Sequence, residues 1–139
     1  MIISTKGRYS LRVMIDLAEN SHGFYIPLQE ISERQGISKE YLSSILKVLV
    51  EKGLLDSLRG KGGGYRLNKS PDQYRVGQIL ELAEGDLSPV SCVQAEHQCP
   101  NSIHCRTFAM WKDLDHVIGG YLNQVLLSDF LEGGKYYGA

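Results

Sequence analysis

The clearest pattern of apolar and polar positions lies in the first half of the chain, where it predicts two helices in succession. Leu28 and Ile31 mark one face of a short helix, and Gly36 then turns the chain. Between residues 39 and 52 the apolar residues recur at steps of three and four, which is the spacing of one helix face. These residues are Leu42, Ile45, Leu46, Leu49 and Val50. Two helices joined by a tight glycine turn predict a helix-turn-helix.

A glycine-rich hairpin is predicted directly after the second helix. Ser38 is a good N-cap for that helix, and Gly53 lies where a helix end favours a positive φ. Residues 54–59 have the pattern of a strand, residues 60–64 (GKGGG) that of a turn, and residues 65–67 that of a returning strand. A basic hairpin in this place predicts the wing of a winged helix-turn-helix.

The predicted winged helix offers two surfaces for DNA. Short polar and cationic side chains on the outer face of the second helix can reach base edges and phosphates in a major groove, and cations of the wing or the N-terminus can meet phosphates. The candidate DNA-binding residues are Lys6, Arg8, Ser38, Lys39, Glu40, Ser43, Ser44, Lys47, Arg59, Lys61 and Tyr65. Arg66 is a third cation of the wing. The alternative is that the exposed lysines and serines are ordinary solvated surface.

Shorter elements flank this unit. An apolar face between residues 8 and 20 predicts an N-terminal helix. Residues 74–76 predict a short third strand, and residues 77–84 a helix that Gly85 stops. The stretch that follows has loop character to about residue 101.

The last predicted element is a long helix that begins near residue 107. Its apolar stripe consists of Trp111, Leu114, Ile118, Tyr121, Leu122 and Val125. The pair Gly119-Gly120 weakens this helix and allows a bend or a close helix approach. So small a domain cannot cover so much apolar surface, which favours dimerisation through the helix, with core packing as the alternative.

These patterns predict a mainly α fold: a winged helix-turn-helix with a small β-hairpin wing and a long C-terminal dimerisation helix. The predicted divisions are a DNA-binding domain (1–85), a cysteine-bearing sensor loop (86–105), the dimerisation helix (106–132) and a tail that is expected to fray (133–139).

Composition and charge favour a cytoplasmic protein that meets nucleic acid with its first half. The 139 residues are 42% hydrophobic, no run approaches the length of a membrane span, and the first ten residues do not resemble a signal peptide. Residues 1–70 carry eleven Lys and Arg against seven Asp and Glu, whereas residues 71–139 carry four against nine. The excess of positive charge therefore lies where the helix-turn-helix is predicted.

Three cysteines between the short fourth helix and the long helix predict metal or redox chemistry. Cys92, Cys99 and Cys105 are an odd number within fourteen residues, and their spacing matches neither a zinc finger nor a CxxC redox motif. Three thiolates and one further ligand suit zinc or an iron–sulfur cluster equally well by count. Nearby candidates for the further ligand are His97, His104, His116 and Glu96. Three idle or buried cysteines are the structural alternative.

Several segments together resemble one family of bacterial regulators. They are ISTKGRYSLRVMIDLAE, ISERQGIS, LRGKGGGYRL and the three cysteines before TFAMWKDL. The chain resembles the winged-helix transcription regulators that include IscR, NsrR and CymR, from residue 2 to about residue 131. The resemblance implies a homodimer that binds DNA and senses cluster supply, nitric oxide or redox state through a cluster on three cysteines. A CymR-like branch lacks those cysteines and acts with a partner enzyme.

The chain departs from the family pattern around the fourth cluster ligand. Its first cysteine interval is six residues instead of the usual five. Phe108 stands where the IscR branch has a histidine ligand, and Arg8 stands where the NsrR branch has an aspartate ligand. Because His97 lies in the longer interval, it is favoured over His104 as the fourth ligand of a cluster on Cys92, Cys99 and Cys105. Glu96 and an external thiol or water are the remaining options.

The sequence thus predicts a homodimeric repressor of a palindromic operator in double-stranded DNA, with no membrane association and no enzymatic activity. Its operator binding is expected to respond to an iron–sulfur cluster or to redox state at the three cysteines. The nuclearity of the cluster is open, and purification in air can remove it. The alternatives are a cluster-free regulator of the CymR type and a zinc-stabilised protein-interaction adaptor.

Overall fold

The elements follow one another as three helices, a hairpin and two further helices. The computed structural model describes residues 3–94 and 99–138. Within these ranges the helices are α1 (Thr5–Asn20), α2 (Leu28–Gln35), α3 (Lys39–Glu51), α4 (Val76–Glu84) and α5 (Phe108–Gln124), and the strands are β1 (Leu55–Leu58) and β2 (Gly64–Leu67). The mainly α winged helix-turn-helix predicted from the sequence is confirmed. In the described part of the chain, no helix is long and apolar enough to cross a membrane.

The predicted apolar stripe of α3 lies in the core of the winged domain. It packs there with the buried side of α1, and the main members of this cluster are Val13, Met14, Leu17, Leu42, Ile45, Leu46 and Leu49. Each of these side chains is at most 2% exposed. Burial of this stripe turns the polar side of α3 toward solvent, because the two sets of residues occupy opposite sides of one helix.

A buried carboxylate fixes the turn between α2 and α3. Asp16 of α1 is 1% exposed and accepts hydrogen bonds from Arg34 Nε at 2.9 Å, Arg34 Nη2 at 2.8 Å and Gln35 Nε2 at 2.8 Å. A buried charge is tolerated when it is paired and hydrogen-bonded in this way. Arg34 and Gln35 end α2, and Gly36 turns the chain with a φ of 65°, which glycine adopts without strain. The network therefore helps to set the direction of α3.

The wing is an antiparallel hairpin with a third backbone segment beside it. β1 and β2 pair with Leu55 opposite Leu67, and Ile26 bridges Tyr65 on the other side of β2. The backbone of Ile26 approaches so closely that a Cβ at position 64 would collide with its carbonyl group. Gly64 also has a φ of 145°. These two requirements explain why this end of the turn is glycine.

The third strand predicted at residues 74–76 is wrong. Arg75 makes an isolated bridge with Leu126, which follows α5, and Val76 already begins α4. The place beside β2 is taken by Ile26, far earlier in the chain. A short β-like pattern cannot identify its partner, because the pairing is decided by the packing of distant elements.

Tyr74 ties together the two ends of the hairpin. Its side chain is wholly buried, and its hydroxyl donates a hydrogen bond to the carbonyl oxygen of Leu54 at 2.8 Å. The same hydroxyl accepts hydrogen bonds from the backbone N–H groups of Asn68 at 3.0 Å and Lys69 at 3.1 Å. Leu54 precedes β1 and Asn68 follows β2, so one phenol holds both strands at the base of the wing.

The last part of the chain returns to the winged domain. α5 ends at Gln124, well before residue 132, where the dimerisation helix was predicted to end. Leu127 is wholly buried, and its N–H donates to the carbonyl oxygen of Tyr74 at 2.9 Å. The tail, which was expected to fray, also packs back: the Tyr136 N–H donates to the Asp129 carbonyl oxygen at 2.7 Å.

Candidate nucleic-acid interface and cysteine cavity

The polar face of α3 is accessible along its whole length. Its exposed members are Ser38, Lys39, Glu40, Ser43, Ser44 and Lys47. Two of the serines also serve the helix itself: Ser38 Oγ accepts from the Tyr41 N–H at 3.3 Å, and Ser44 Oγ donates to the Tyr41 carbonyl oxygen at 2.6 Å. Hydroxyls, ammonium groups and one carboxylate on this face provide both the donors and the acceptors that base edges require.

A cleft of about 540 Å³ lies between α3 and the wing. Ser43 and Lys47 line it from the helix, Arg59 and Tyr65 from the hairpin. The Tyr65 ring is half-buried against the core, whereas its backbone exchanges hydrogen bonds with Ile26 at 2.8 and 2.9 Å. The structure thus brings the candidate residues of the recognition helix and of the wing to one surface.

The wing cations differ in what they contact. Arg59 and Lys61 are exposed near the tip of the hairpin. Arg66, by contrast, donates from Nη1 to the Gly23 carbonyl oxygen at 3.0 Å and lies 4.4 Å from the centre of the Tyr25 ring. Arg66 therefore helps to hold the loop before α2, and Arg59 and Lys61 are the wing cations open to a phosphate.

The N-terminal candidates lie beside a link between α1 and α4. Ser4 caps α1, and its N–H and Oγ donate to Glu84 Oε1 at 2.8 and 2.6 Å. Arg8 is exposed, with Nη2 donating to Thr5 Oγ1 at 3.1 Å, whereas Lys6 is half-buried. The Glu84 carboxylate thus fixes the start of the helix that carries both cations.

Two of the three cysteines line one cavity beside α5. Cys92 lies in a short 3₁₀ helix, Ser91–Val93, that packs against α5. Cys92 and Cys99 border a cavity of about 790 Å³ whose opposite wall includes Phe108, Lys112, Asp115 and His116. Within residues 3–94 and 99–138, no three His, Cys, Asp or Glu side chains are gathered closely enough to hold a metal ion.

The third cysteine, Cys105, lies at the start of α5. It is exposed, and its Sγ is 3.3 Å from Thr107 Oγ1. This side-chain hydrogen bond, together with one from the Thr107 backbone, lowers the pKa of the Cys105 thiol. The Phe108 N–H donates to the Cys105 carbonyl oxygen at 3.4 Å, and Phe108 lines the cavity of the other two cysteines. Two of the three cysteines therefore line one cavity, and the third precedes Phe108 of its wall by three residues. Thiolates are the usual ligands of iron–sulfur clusters.

The fourth ligand favoured from the sequence, His97, lies outside the described residues, as does Glu96. His104 is exposed and is not among the residues that line the cavity. Phe108, Lys112, Asp115 and His116 do line it. The steps of four and three from Phe108 to Lys112 and Asp115 were the available signal, because residues so spaced share one side of a helix.

The side chains of α5 divide between two surfaces. Ile118 and Leu122 of the predicted stripe line a second cavity next to α4, with Gly77 opposite. Leu114 and Tyr121 instead point to solvent, and they form a continuous exposed row with two residues that the prediction did not include, Met110 and Val117. This row is the largest group of exposed apolar side chains on one element of the described chain.

Comparison with known proteins identifies the family. Residues 3–133 match the family model of Rrf2, described as an iron-dependent transcriptional regulator. The chain belongs to the Rrf2 family. Its relatives include the HTH-type transcriptional regulator IscR of Cronobacter sakazakii, with 38% identity over 131 residues, 94% of this chain and 80% of the relative.

Solved structures of other Rrf2-type regulators have the same fold. CymR, the global cysteine regulator of B. subtilis, superposes with a TM-score of 0.72 and 31% identity, over 96% of this chain and 98% of CymR. IscR of T. potens superposes with a TM-score of 0.74 and 30% identity, over 100% of this chain and 93% of IscR. The present chain is thus a winged-helix transcriptional regulator of the Rrf2 family, and this family is not enzymatic.

Proposed function

We propose that this Rrf2 protein is a homodimeric repressor whose affinity for a palindromic operator depends on the state of Cys92, Cys99 and Cys105. The observation that carries the DNA-binding part is the cleft that Ser43 and Lys47 of α3 share with Arg59 of the wing. A helix with exposed hydroxyls and cations can enter a major groove, while a cationic hairpin beside it meets the backbone or the minor groove.

The exposed row on α5 supports a dimer. Met110, Leu114, Val117 and Tyr121 are between 39% and 66% exposed, and they follow one another at steps of four, three and four. This spacing is that of a seam between two helices, and a second copy of α5 would remove the row from water. A dimer that binds successive major grooves on one side of DNA must hold its two α3 helices about 34 Å apart.

The cysteines would hold an iron–sulfur cluster. When bound, such a cluster would supply a redox-active iron centre, and oxygen, nitric oxide or a redox change can alter that centre. The chain itself provides the connection to DNA binding: the segment with Cys92 packs on α5, and the residues after α5 pair with Arg75 at the start of α4. A changed position of the cysteine loop would act on the helix that we place at the dimer interface.

Thiol oxidation without a cluster is the second candidate function. It is supported by Cys105, which is exposed and whose thiol pKa is lowered by the hydrogen bond with Thr107. A thiol with a lowered pKa is present as the more reactive thiolate at lower pH. A colourless anaerobic protein that binds its operator only when reduced would favour thiol oxidation. Bound zinc without iron would favour the zinc-stabilised protein-interaction adaptor.

Selection from random duplex DNA tests the proposed function. The full chain, purified without oxygen, should enrich a palindrome whose half-sites lie about one helical turn apart, because a two-fold dimer presents two copies of α3. A variant with Lys39, Ser43 and Lys47 replaced by Ala should enrich no sequence. Enrichment of single half-sites would contradict the dimer, and no enrichment by the wild-type chain would contradict operator binding.

A further inference from the structure

A side-chain amide at the end of α2 lies between a cation and an anion of α1. Gln35 Oε1 accepts a hydrogen bond from Arg12 Nε at 3.1 Å, and Gln35 Nε2 donates to Asp16 Oδ2 at 2.8 Å. Arg12 Nη2 also donates to the backbone carbonyl oxygen of Gln35. Because an amide has one accepting and one donating end, these two neighbours fix its orientation. Gln35 is the last residue of α2, so α1 holds the point at which the chain turns toward α3.

The same guanidinium group is connected to the start of α3. Arg12 Cζ lies 5.0 Å from the centre of the Tyr9 ring, and that ring meets the Tyr41 ring edge-on, with ring centres 5.8 Å apart. Tyr41 is in the first turn of α3. Tyr9, Arg12 and Asp16 follow one another on α1 at steps of three and four, which places them on one side of that helix. This side of α1 therefore contacts both helices that flank the turn.

The contacts of Arg12 favour a role inside the protein over a contact with DNA. Arg12 is exposed, and an exposed arginine near a recognition helix can meet a phosphate. Its guanidinium group, however, already donates from two nitrogens to Gln35 and lies over the Tyr9 ring. A planar group with donors in a fixed fork is suited to holding two acceptors and an aromatic face at once.

We propose that Arg12 is a positioning residue for operator recognition, and that it acts through Gln35 on the angle of α3 without contacting DNA itself. This inference rests on the operator binding of the proposed function. Base edges are read only when the side chains of α3 are in register with them, whereas phosphate contacts provide affinity for any sequence. Loss of the link between Arg12 and Gln35 should therefore lower the affinity for the operator and leave the affinity for random DNA intact.

Fluorescence anisotropy of the full-length chain with the selected operator and with a random duplex, over a range of salt concentrations, tests this role. Arg12→Met keeps an unbranched apolar side chain and removes every donor. We expect its operator affinity to fall about tenfold, with the affinity and the salt slope for random DNA unchanged. Arg12→Lys keeps the charge but lacks the planar fork, so its operator affinity should fall as well.

Three results of this experiment would overturn the inference. A parallel loss of affinity for operator and random DNA in Arg12→Met, with a salt slope shallower by about one unit, would show a phosphate contact instead. Full operator affinity in Arg12→Lys would show that the charge alone is sufficient. Lys135→Met removes one positive charge from the tail and should keep both affinities; a loss equal to that of Arg12→Met would show an effect of net charge.

Two further variants separate positioning from a general loss of stability. Ile31→Val shortens a wholly buried side chain of α2, so it should lower the midpoint of urea unfolding but keep the operator affinity of the wild-type chain. An operator loss equal to that of Arg12→Met would overturn the inference. Gln35→Met removes the amide, and the double variant with Arg12→Met should lose less affinity than the product of the single losses, because both changes act on one link. Losses that multiply would overturn the inference. A wild-type chain without preference for the operator would overturn the proposed operator binding as well.

Discussion

At the scale of single residues, the two arginines of the wing have different environments. Arg66 is engaged with Gly23, Tyr25 and Asp56, and the last of these contacts is an ion pair of 3.7 Å. Arg59 is exposed and borders the cleft next to α3. A cation that is already engaged within the protein gains less from a phosphate than one that is open to solvent. Arg59 is therefore the arginine of the wing that we assign to DNA.

The variant Arg59→Ala should weaken binding to operator and to random DNA alike, because phosphate contacts carry no sequence information. The slope of log affinity against log salt concentration should become shallower by about one unit, the value for one lost phosphate contact. Fluorescence anisotropy over a range of salt concentrations measures this slope. Lys135→Ala removes the same charge from the tail and should leave the slope unchanged. An unchanged slope for Arg59→Ala would remove Arg59 from the interface.

Residue roles set by near neighbours could be predicted from the sequence, whereas those set by distant contacts could not. Ser38 caps α3 as its position before the apolar stripe indicated, because an N-cap depends on residues within one turn. Arg66 looked like Arg59 in the sequence. Its inward role depends on Gly23 and Tyr25, which come close only when the hairpin packs beside the loop before α2.

At the scale of elements, the wing depends on Tyr74 as well as on its own strand pairing. The Tyr74 hydroxyl joins Leu54 to Asn68 and Lys69, so it holds the two ends of a hairpin that has only four residues in each strand. Burial raises the pKa of this phenol, because the charged phenolate would lose its hydration.

Replacing Tyr74 by Phe should lower the free energy of unfolding by about 1–3 kcal/mol, since the Leu54 carbonyl oxygen loses its buried donor. Urea unfolding at neutral pH measures this loss, and Tyr137→Phe, at an exposed ring, is the control.

Because the folded pKa of Tyr74 lies above its unfolded value of about 10, the wild-type chain should also lose stability as the pH rises past 10. The Tyr74→Phe chain should not show the part of this stability loss that comes from ionisation of Tyr74. Equal stability of the two chains would contradict the role of the hydroxyl.

The exposed row on α5 leads to a prediction about assembly. Val117→Glu places a charge in the middle of the row and should convert the dimer to a monomer, because a buried unpaired carboxylate is costly. Ala109→Glu adds the same charge to an exposed position of α5 outside the row and should leave the dimer intact. Sedimentation equilibrium gives both masses. A dimeric Val117→Glu chain, or a monomeric wild-type chain, would contradict the proposed interface.

The existence of α5 could be predicted from its apolar spacing, but the division of its surface could not. The predicted stripe mixed residues that face α4, such as Leu122, with residues that face solvent, such as Tyr121. Periodicity identifies an apolar side of a helix, but a side this broad can serve two neighbours at once. The end of α5 was also misplaced, because the return of Leu127 to the core follows from tertiary packing.

At the scale of the whole molecule, α5 links the cysteine segment, the proposed dimer surface and the winged domain. The Cys92 segment packs on it, its exposed row is free for a second copy, and the chain after it enters the core of the winged domain at Leu127. The start of α1 is fixed separately, because Ser4 donates two hydrogen bonds to Glu84, the last residue of α4. The sequence predicted these elements one by one, but the contacts that join them are between residues far apart in the chain.

We propose that the state of the three cysteines sets operator affinity, and the dissociation constant of the operator complex tests this proposal most directly. It should be measured without oxygen for the wild-type chain with and without its cluster, and for a variant with Cys92, Cys99 and Cys105 all replaced by Ala. We predict that the two wild-type forms differ at least about tenfold, or about 1.4 kcal/mol. The triple variant should have one affinity whether or not it was treated with iron and sulfide. Equal affinities of the two wild-type forms would contradict the account.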